Sequence, residues 1–194
     1  MILSVNPVTR CPWPSDDPLM IAYHDQEWGV PLFDDQKLFE FIVLDSFQAG
    51  LSWKTVLHKR ENFRQAFDHF DYRKIAEYDQ PKIDSLLQDA GIIRNKAKIY
   101  GTVRNAQCFL EIQKESGSFS NYIWQFTEGK TIRNHWKELK EIPAKSEVSD
   151  KMSADLVKRG FKFAGSTICY AFMQAAGMVN DHMTDCFRYK ELSF

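Results

Sequence analysis

The chain has 194 residues, with 25 Lys or Arg against 26 Asp or Glu, so its formal net charge is −1. This near-balance gives no support to nucleic-acid binding by the chain as a whole, so any DNA-binding surface must be a local patch. A composition of 44% hydrophobic and 26% charged residues is typical of a soluble globular domain, and since neither a membrane span nor a signal peptide is predicted, a cytoplasmic location is expected.

Hydrophobic periodicity along the chain predicts six or seven helices and no sheet. Residues 11–34 are expected to be irregular because four prolines interrupt them. The pair Asp34-Asp35 can cap a helix that ends near Gly50. This helix is apolar on nearly all sides, which predicts that it lies in the core rather than on the surface.

The later elements are also helical by pattern, and Ser52 is suited to cap the first of them. Residues 128–149 are polar and lack a clear period, so an exposed loop is expected there. The sequence therefore predicts an all-α orthogonal bundle, with a short segment at about 72–78 and further helices at about residues 52–67, 81–90, 94–114, 119–126, 150–159 and 166–176.

Two of the four cysteines and two of the histidines lie near the two ends of the chain, at Cys11, His24, His182 and Cys186. His182 and Cys186 are four residues apart, and on a single helical turn they would share one face. Two Cys and two His form a standard closed ligand set for zinc, which would tie the termini together. The alternative is that the cysteines are ordinary buried residues of a reducing compartment.

Residues 86–98, LLQDAGIIRNKAK, read as two helices joined by a tight turn at Gly91. The second helix begins beside Arg94, Lys96 and Lys98, and a helix N-terminus with nearby cations is suited to bind phosphate. A helix-hairpin-helix element grips the DNA backbone in this way without reading bases. The alternative is an ordinary helical hairpin with a solvated basic turn, since the second glycine of the commonest motif is missing.

Several aromatic residues and one acid suggest a binding slot. Asp45 falls on the apolar stripe of its helix, where a carboxylate must find a partner or change its protonation state. An aromatic box with one acid suits a flat cationic ligand, through stacking and cation–π attraction. The alternative is that Asp45 caps a backbone amide and the rings are core; the candidate residues are Trp13, Tyr23, Trp28, Asp45 and Trp53.

Taken together, five segments resemble the bacterial 3-methyladenine DNA glycosylase I family. The resemblance covers about residues 9–189 in the correct order and implies a single domain over 1–194. The segments are YHDQEWGVP at 23–31, QAGLSW at 48–53, DAGIIR at 89–94, RGFKF at 159–163 and NDH at 180–182.

The resemblance implies a monomeric helix-hairpin-helix enzyme that hydrolyses the N-glycosidic bond of 3-methyladenine, and less readily of 3-methylguanine, in double-stranded DNA with alkylated bases. An abasic site would remain. One structural zinc is implied, with ligands that match Cys11, His24, His182 and Cys186. The base pocket corresponds to Trp13, Tyr23, Asp45 and Trp53, with Asp45 in the catalytic position, and the DNA contacts correspond to Gln48, Gly50, Leu51, Gly91, Arg94 and Lys96.

Two departures from the family pattern bear on specificity. Asp45 stands where the family usually has Glu, and Met20 replaces a tyrosine that lies near the base in a known member. A related glycosylase with a shifted lesion range is therefore an alternative, as is a damage-binding protein without turnover. No lysine is placed like the amine nucleophile of a bifunctional lyase, so a monofunctional enzyme is expected.

Overall fold

The structure is a computed structural model that describes residues 8–192. Within that range the chain forms eleven α-helices and two short strands. In chain order they are α1 Pro18–Gln26, α2 Asp35–Gln48, α3 Trp53–Leu57, α4 Arg60–Ala66, α5 Tyr72–Ile75, α6 Gln80–Gln88, α7 Lys96–Ser116, α8 Phe119–Ile123, β1 Ile132–Arg133, α9 Glu147–Lys158, α10 Ser166–Ala175, β2 Val179–Asn180 and α11 Phe187–Glu191.

Helix α2 forms the centre of the molecule, as its all-round apolar sequence predicts. The Asp34 side chain accepts from the Lys37 amide and caps it. Leu38, Phe39 and Leu44 are fully buried, and α10, α7 and α8 pack around the helix. The predicted all-α class and central helix are confirmed.

The expectation that residues 11–34 are irregular is wrong for α1. Pro18 occupies the first turn, where its missing N–H costs nothing and its fixed φ suits a helix, and Asp17 accepts from the amides of Leu19 and Met20. Proline therefore begins this helix instead of interrupting it. Likewise, the single helix expected over residues 52–67 divides into α3 and α4 around His58 and Lys59.

Residues 128–149 are not simply an exposed loop, and the expectation of no sheet is also wrong. Strand β1 pairs in parallel with β2, with Ile132 opposite Val179. Beyond the strand, the Thr184 amide donates to the Trp136 carbonyl, and a short 3₁₀ turn spans Leu139–Glu141. These bonds hold the segment against the C-terminal part of the chain.

Helices α6 and α7 form the predicted hairpin, joined by residues 89–95. Asn95 caps α7 by accepting from the Lys98 amide. Lys98 was expected to belong to the exposed basic turn, and this is wrong. Its side chain is buried, and its ammonium group donates to the carbonyls of Phe47 at 2.9 Å and Ala49 at 2.5 Å. No helix in residues 8–192 has the length and apolar character needed to cross a membrane.

Candidate functional site

The structure brings the predicted aromatic residues and Asp45 to one cavity of about 200 Å³, which we call the aromatic cavity. The cavity is partly open to solvent, and Gln48, the last residue of α2, is among its lining residues. The lining residues are Trp13, Tyr23, Trp28, Asp45, Gln48, Trp53, Leu139, Ile142, Ala171 and Gln174.

Local structure fixes the rings around this cavity. Tyr23 lies on α1, and its ring centroid is 5.0 Å from that of Trp53, the first residue of α3. Ser52 holds the start of α3 by accepting from the Thr55 amide. Trp13, in the turn before α1, meets Trp28 edge-on at 5.1 Å. Edge-to-face and tilted packing holds the rings in place and leaves an open slot between them.

Asp45 lies on the inner face of α2 and is 2% exposed. Its Oδ2 atom has no hydrogen-bond partner among the described residues, so the carboxyl group is not satisfied by capping an amide. Burial raises the pKa of Asp45 well above its usual range, because the charged form is poorly solvated there. A cation in the cavity would reverse this effect by stabilising the carboxylate.

Two further buried polar atoms at the cavity are unpaired among the described residues. They are the indole nitrogens Nε1 of Trp13 and Trp53. Buried polar groups are almost always hydrogen-bonded, and each one left unpaired costs about 1–3 kcal/mol. Two donors and one acceptor at one cavity therefore suit a ligand that carries both acceptors and donors on a flat ring.

Part of the lining was not predicted as part of the site. Leu139 and Ile142 come from the poorly patterned segment 128–149, which gave no signal of a role. Gln174 lies on α10, which also contains Ser166 and Thr167, so a polar residue there gave no signal of a role in the site. Met20 lies buried on α1, and the lining residues do not include it.

A second, smaller cavity lies on the other side of Asp45 and has room for about 20 Å³. Ser46, Phe119 and Cys169 are among its mainly apolar lining residues. This volume fits a single water molecule and not a base. The aromatic cavity is the only one of the two that can receive a ring system.

The four predicted metal ligands converge in one buried group, the Cys/His cluster. Their ligand atoms all lie within 4.8 Å of one another. The sulfur–nitrogen separations are 3.5 Å for Cys186 and His24, 3.6 Å for Cys186 and His182, and 3.7 Å for Cys11 and His182. In an ideal tetrahedral zinc site, a thiolate sulfur and an imidazole nitrogen lie about 3.6 Å apart, so the donor set fits that ion.

The second ring nitrogen of each histidine in the cluster has its own partner. His24 Nδ1 lies 2.7 Å from an Asp25 carboxylate oxygen, and His182 Nε2 lies 3.0 Å from the Trp28 carbonyl. Such outer partners orient metal-bound imidazoles. His182 and Cys186 lie on a turn before α11, not on one helical turn as the spacing suggested. The other two cysteines, Cys108 and Cys169, are buried elsewhere.

The residues considered for DNA contact lie at two places on the surface. Gln48, Gly50 and Leu51 form the turn after α2, where Gly50 has a φ of +78° and Leu51 is 44% exposed. Gly91, Arg94 and Lys96 lie in the α6–α7 hairpin, where Arg94 and Lys96 are exposed. Lys98 links the two places because it bonds the end of α2 from the start of α7.

Comparison with known proteins identifies related sequences. A family model described as methyladenine glycosylase matches residues 13–189. A DNA-3-methyladenine glycosylase of Haemophilus influenzae is 51% identical over 178 residues, covering 92% of this chain and 96% of that protein. DNA-3-methyladenine glycosylase 1 of Escherichia coli is 49% identical over 180 residues, covering 93% and 96%.

Solved structures show the same similarity. The crystal structure of a 3-methyladenine DNA glycosylase I superimposes with a TM-score of 0.90 at 50% identity, covering 92% of this chain and 98% of that one. The Staphylococcus aureus 3-methyladenine DNA glycosylase I, described for its recognition of 3-methyladenine, superimposes with a TM-score of 0.89 at 34% identity. The match covers 94% of this chain and 97% of that one.

Proposed function

Because this chain belongs to the methyladenine glycosylase family and is a DNA-3-methyladenine glycosylase, we propose how its residues carry out that reaction. A 3-methylated adenine rotates out of double-stranded DNA and enters the aromatic cavity. Damage weakens pairing and stacking, which lowers the few kcal/mol needed to extrude the base. The base then lies against Trp13, Tyr23, Asp45 and Trp53.

The observation that carries this assignment is the set of unpaired polar atoms. Asp45 Oδ2 and the Nε1 atoms of Trp13 and Trp53 are buried and lack partners within residues 8–192, although other residues could have filled these positions at lower cost. An adenine presents an amino group as donor and ring nitrogens as acceptors. It can therefore satisfy an acidic acceptor and indole donors at once, while its face packs on the rings.

The positive charge of the base supplies much of the reactivity. In the nucleoside a 3-methylated adenine is cationic, so when the C1′–N9 bond breaks its electron pair returns to the ring and a neutral base departs. No protonated acid is required. Water adds to C1′ and loses its proton, leaving an abasic site. Asp45 accepts from the base edge and favours the charged base, and 3-methylguanine is a poorer substrate.

We assign the Cys/His cluster as a structural zinc site. Cys11, His24, His182 and Cys186 would supply all four ligands of a tetrahedral zinc, which would leave no open position for water, unlike a catalytic zinc. Its role is to hold the N-terminal segment that carries Trp13 and Tyr23. The ring of His24 in the cluster lies only 5.3 Å from that of Trp13, which supports this connection.

The DNA backbone is bound by the α6–α7 hairpin acting as a helix-hairpin-helix element. Arg94 and Lys96 are exposed beside the amino end of α7, where backbone amides and cations favour phosphate. Leu51, at the exposed turn after α2, approaches the gap left by the rotated nucleotide. The protein acts as a single-domain monomer and, since no lysine among the described residues lines the aromatic cavity, as a monofunctional glycosylase.

An excision assay tests the assignment. Methylated duplex DNA is incubated with the wild-type protein and with Trp53→Ala, and released bases are quantified by chromatography. We expect free 3-methyladenine from the wild type and a loss of about 10-fold or more with Trp53→Ala, since base–aromatic stacking is worth about 1–3 kcal/mol. Phe33→Ala, at an exposed ring outside the cavity, should retain activity.

Other outcomes would contradict specific parts of the proposal. Binding to methylated DNA with no released base would show a damage-binding protein without turnover. Release of other alkylated bases in preference to 3-methyladenine would show a shifted lesion range, consistent with the shorter side chain at Asp45. Full activity in Trp53→Ala would place the base elsewhere.

A further inference from the structure

A buried carboxylate, Asp181, lies behind the aromatic cavity and accepts four hydrogen bonds. Its Oδ1 accepts from Asn134 Nδ2 at 2.6 Å and from Trp136 Nε1 at 2.8 Å. Its Oδ2 accepts from the Tyr170 hydroxyl at 2.7 Å and from Gln174 Nε2 at 2.8 Å. With 1% exposure and both oxygens engaged by donors, Asp181 acts only as an acceptor.

This arrangement fixes which end of the Gln174 amide faces the cavity. Gln174 lines the aromatic cavity from α10, and its Nε2 is held by Asp181. The reverse orientation would set the amide oxygen against a carboxylate oxygen, which is repulsive. The carbonyl oxygen Oε1 is thus left as the free end, because the side-chain hydrogen bond of Gln174 among the described residues uses Nε2.

We propose that Gln174 is a specificity-determining residue that presents its Oε1 to the exocyclic amino group of the rotated base, and that Asp181 is the positioning residue that sets this orientation. The inference rests on the proposed function. An amino group carries two N–H bonds, and the cavity offers two acceptors, Asp45 and Gln174. A guanine-type base carries an oxo group at the same ring position. This oxygen would face the Gln174 oxygen, and because both are acceptors the contact would be repulsive.

The chain offers an isosteric substitution that reverses the amide. In Asp181→Asn, the side facing Trp136 must remain an oxygen because an indole N–H can only donate. The new amide nitrogen therefore faces Tyr170 and Gln174. Gln174 then rotates its amide to accept from that nitrogen, which turns its own N–H₂ toward the cavity. A donor replaces an acceptor without a change in volume.

The test uses zinc-loaded protein and duplex DNA treated with a methylating agent, so that released 3-methyladenine and 3-methylguanine are measured in one reaction. For Asp181→Asn we expect 3-methyladenine release to fall about 10-fold, the value of roughly one hydrogen bond, while 3-methylguanine release holds or rises. A merely structural role for Asp181 would lower both equally and leave the ratio unchanged.

Two further variants complete the experiment. Gln174→Met removes the acceptor without supplying a donor. The ratio of released 3-methyladenine to 3-methylguanine should therefore fall, but by less than in Asp181→Asn. Asn134→Ala removes one donor to Asp181 but leaves the Gln174 amide in place, so it should keep the wild-type ratio. Metal content and melting temperature confirm that each variant is folded.

The possible results separate this inference from the function on which it rests. Wild-type protein that releases neither base overturns both. If the wild type is active and folded Asp181→Asn keeps the wild-type ratio of released 3-methyladenine to 3-methylguanine, the role of Gln174 and Asp181 is overturned and the proposed function is not. If Asp181→Asn does not fold, Gln174→Met decides the matter. An unchanged ratio of the two released bases in that variant overturns the role of Gln174.

Discussion

Asp45 is a carboxylic acid in surroundings that oppose its charge. It is buried, its Oδ2 has no hydrogen-bond partner in the described part of the chain, and burial raises its pKa well above the usual range. Such a residue destabilises the fold and is retained where a ligand uses it. The burial of Asp45 therefore both destabilises the folded protein and prepares the carboxyl group to bind a cationic ligand.

This conflict gives a prediction for Asp45→Asn. The folded state binds the Asp45 proton more tightly than the unfolded state, so the wild type loses stability as the pH rises from about 4, the unfolded pKa. The variant lacks this titration. We expect its melting temperature to exceed that of the wild type at neutral pH, with the difference shrinking toward pH of about 4.

Activity should change in the opposite direction. Asp45→Asn should reduce excision about 10- to 100-fold, the value of a hydrogen bond to a charged group. Asp150→Asn is the control, because hydrogen bonding to Ser166 and Lys145 lowers the pKa of that carboxyl and its loss should destabilise the fold without affecting excision. An Asp45→Asn protein that is less stable at neutral pH, or fully active, contradicts the assignment.

Sequence alone locates some of these residues and not others. Asp45 stands out because a carboxylate on an apolar stripe conflicts with its neighbours. Gln174 and Asp181 do not stand out in this way, since their roles depend on which atoms face each other across α10 and the C-terminal segment. Spacing along one helix carries no information about such a contact.

At the scale of elements, Lys98 joins α7 to the end of α2. Its ammonium group bonds two carbonyls, of Phe47 and Ala49, that the helix leaves without partners. The turn at residues 48–51 is therefore anchored to the helix that begins at the hairpin. A cation at a helix C-terminus also complements the helix dipole.

Replacing Lys98 tests the anchor. Lys98→Met should lower stability by about 1.5–3 kcal/mol, because two carbonyls lose a charged donor, and should reduce excision from duplex DNA more than binding of free 3-methyladenine. Thermal melting, excision and equilibrium binding of the base measure the three effects. Lys114→Met, at the exposed far end of α7, is the matched control. Equal losses in excision and base binding would count against the anchor.

The elements that the sequence predicts well are those whose stability is local. Helix α2 has a cap and a continuous apolar pattern, and it was predicted almost to the residue. Helix α1 was missed because its proline was taken as an interruption and not as a first-turn residue. Segment 128–149 was missed because its order comes from β2 and Asp181, which lie far along the chain.

At the scale of the whole molecule, the Cys/His cluster connects the two ends of the chain. Cys11 and His182 are 171 positions apart and their ligand atoms lie 3.7 Å from each other. Because the four ligands come together only in the folded chain, an ion bound there stabilises the folded state relative to the unfolded state. The ion therefore affects global stability and not a single element.

Removing the metal should lower the melting temperature. An ion present at about 1,000 times its dissociation constant stabilises the folded state by about 4 kcal/mol, so its removal should lower the melting temperature by roughly 8–16 °C for a protein of this length. Metal analysis and thermal melting with and without a chelator measure the effect. Cys186→Ser should lose the ion, whereas Cys108→Ser, buried outside the cluster, should keep it. A metal-free protein with unchanged melting, or one that stays folded yet inactive, contradicts a structural role.

The joining of the two ends also has a consequence for biosynthesis. Trp13 and Tyr23 are translated early, but His182 of the cluster that holds their segment follows Cys11 by 171 residues. A nascent polypeptide can form its central helices while still attached, yet it cannot assemble the slot for the damaged base until His182 and Cys186 have been translated. Prematurely terminated chains are consequently inactive, however much of their helical core they retain.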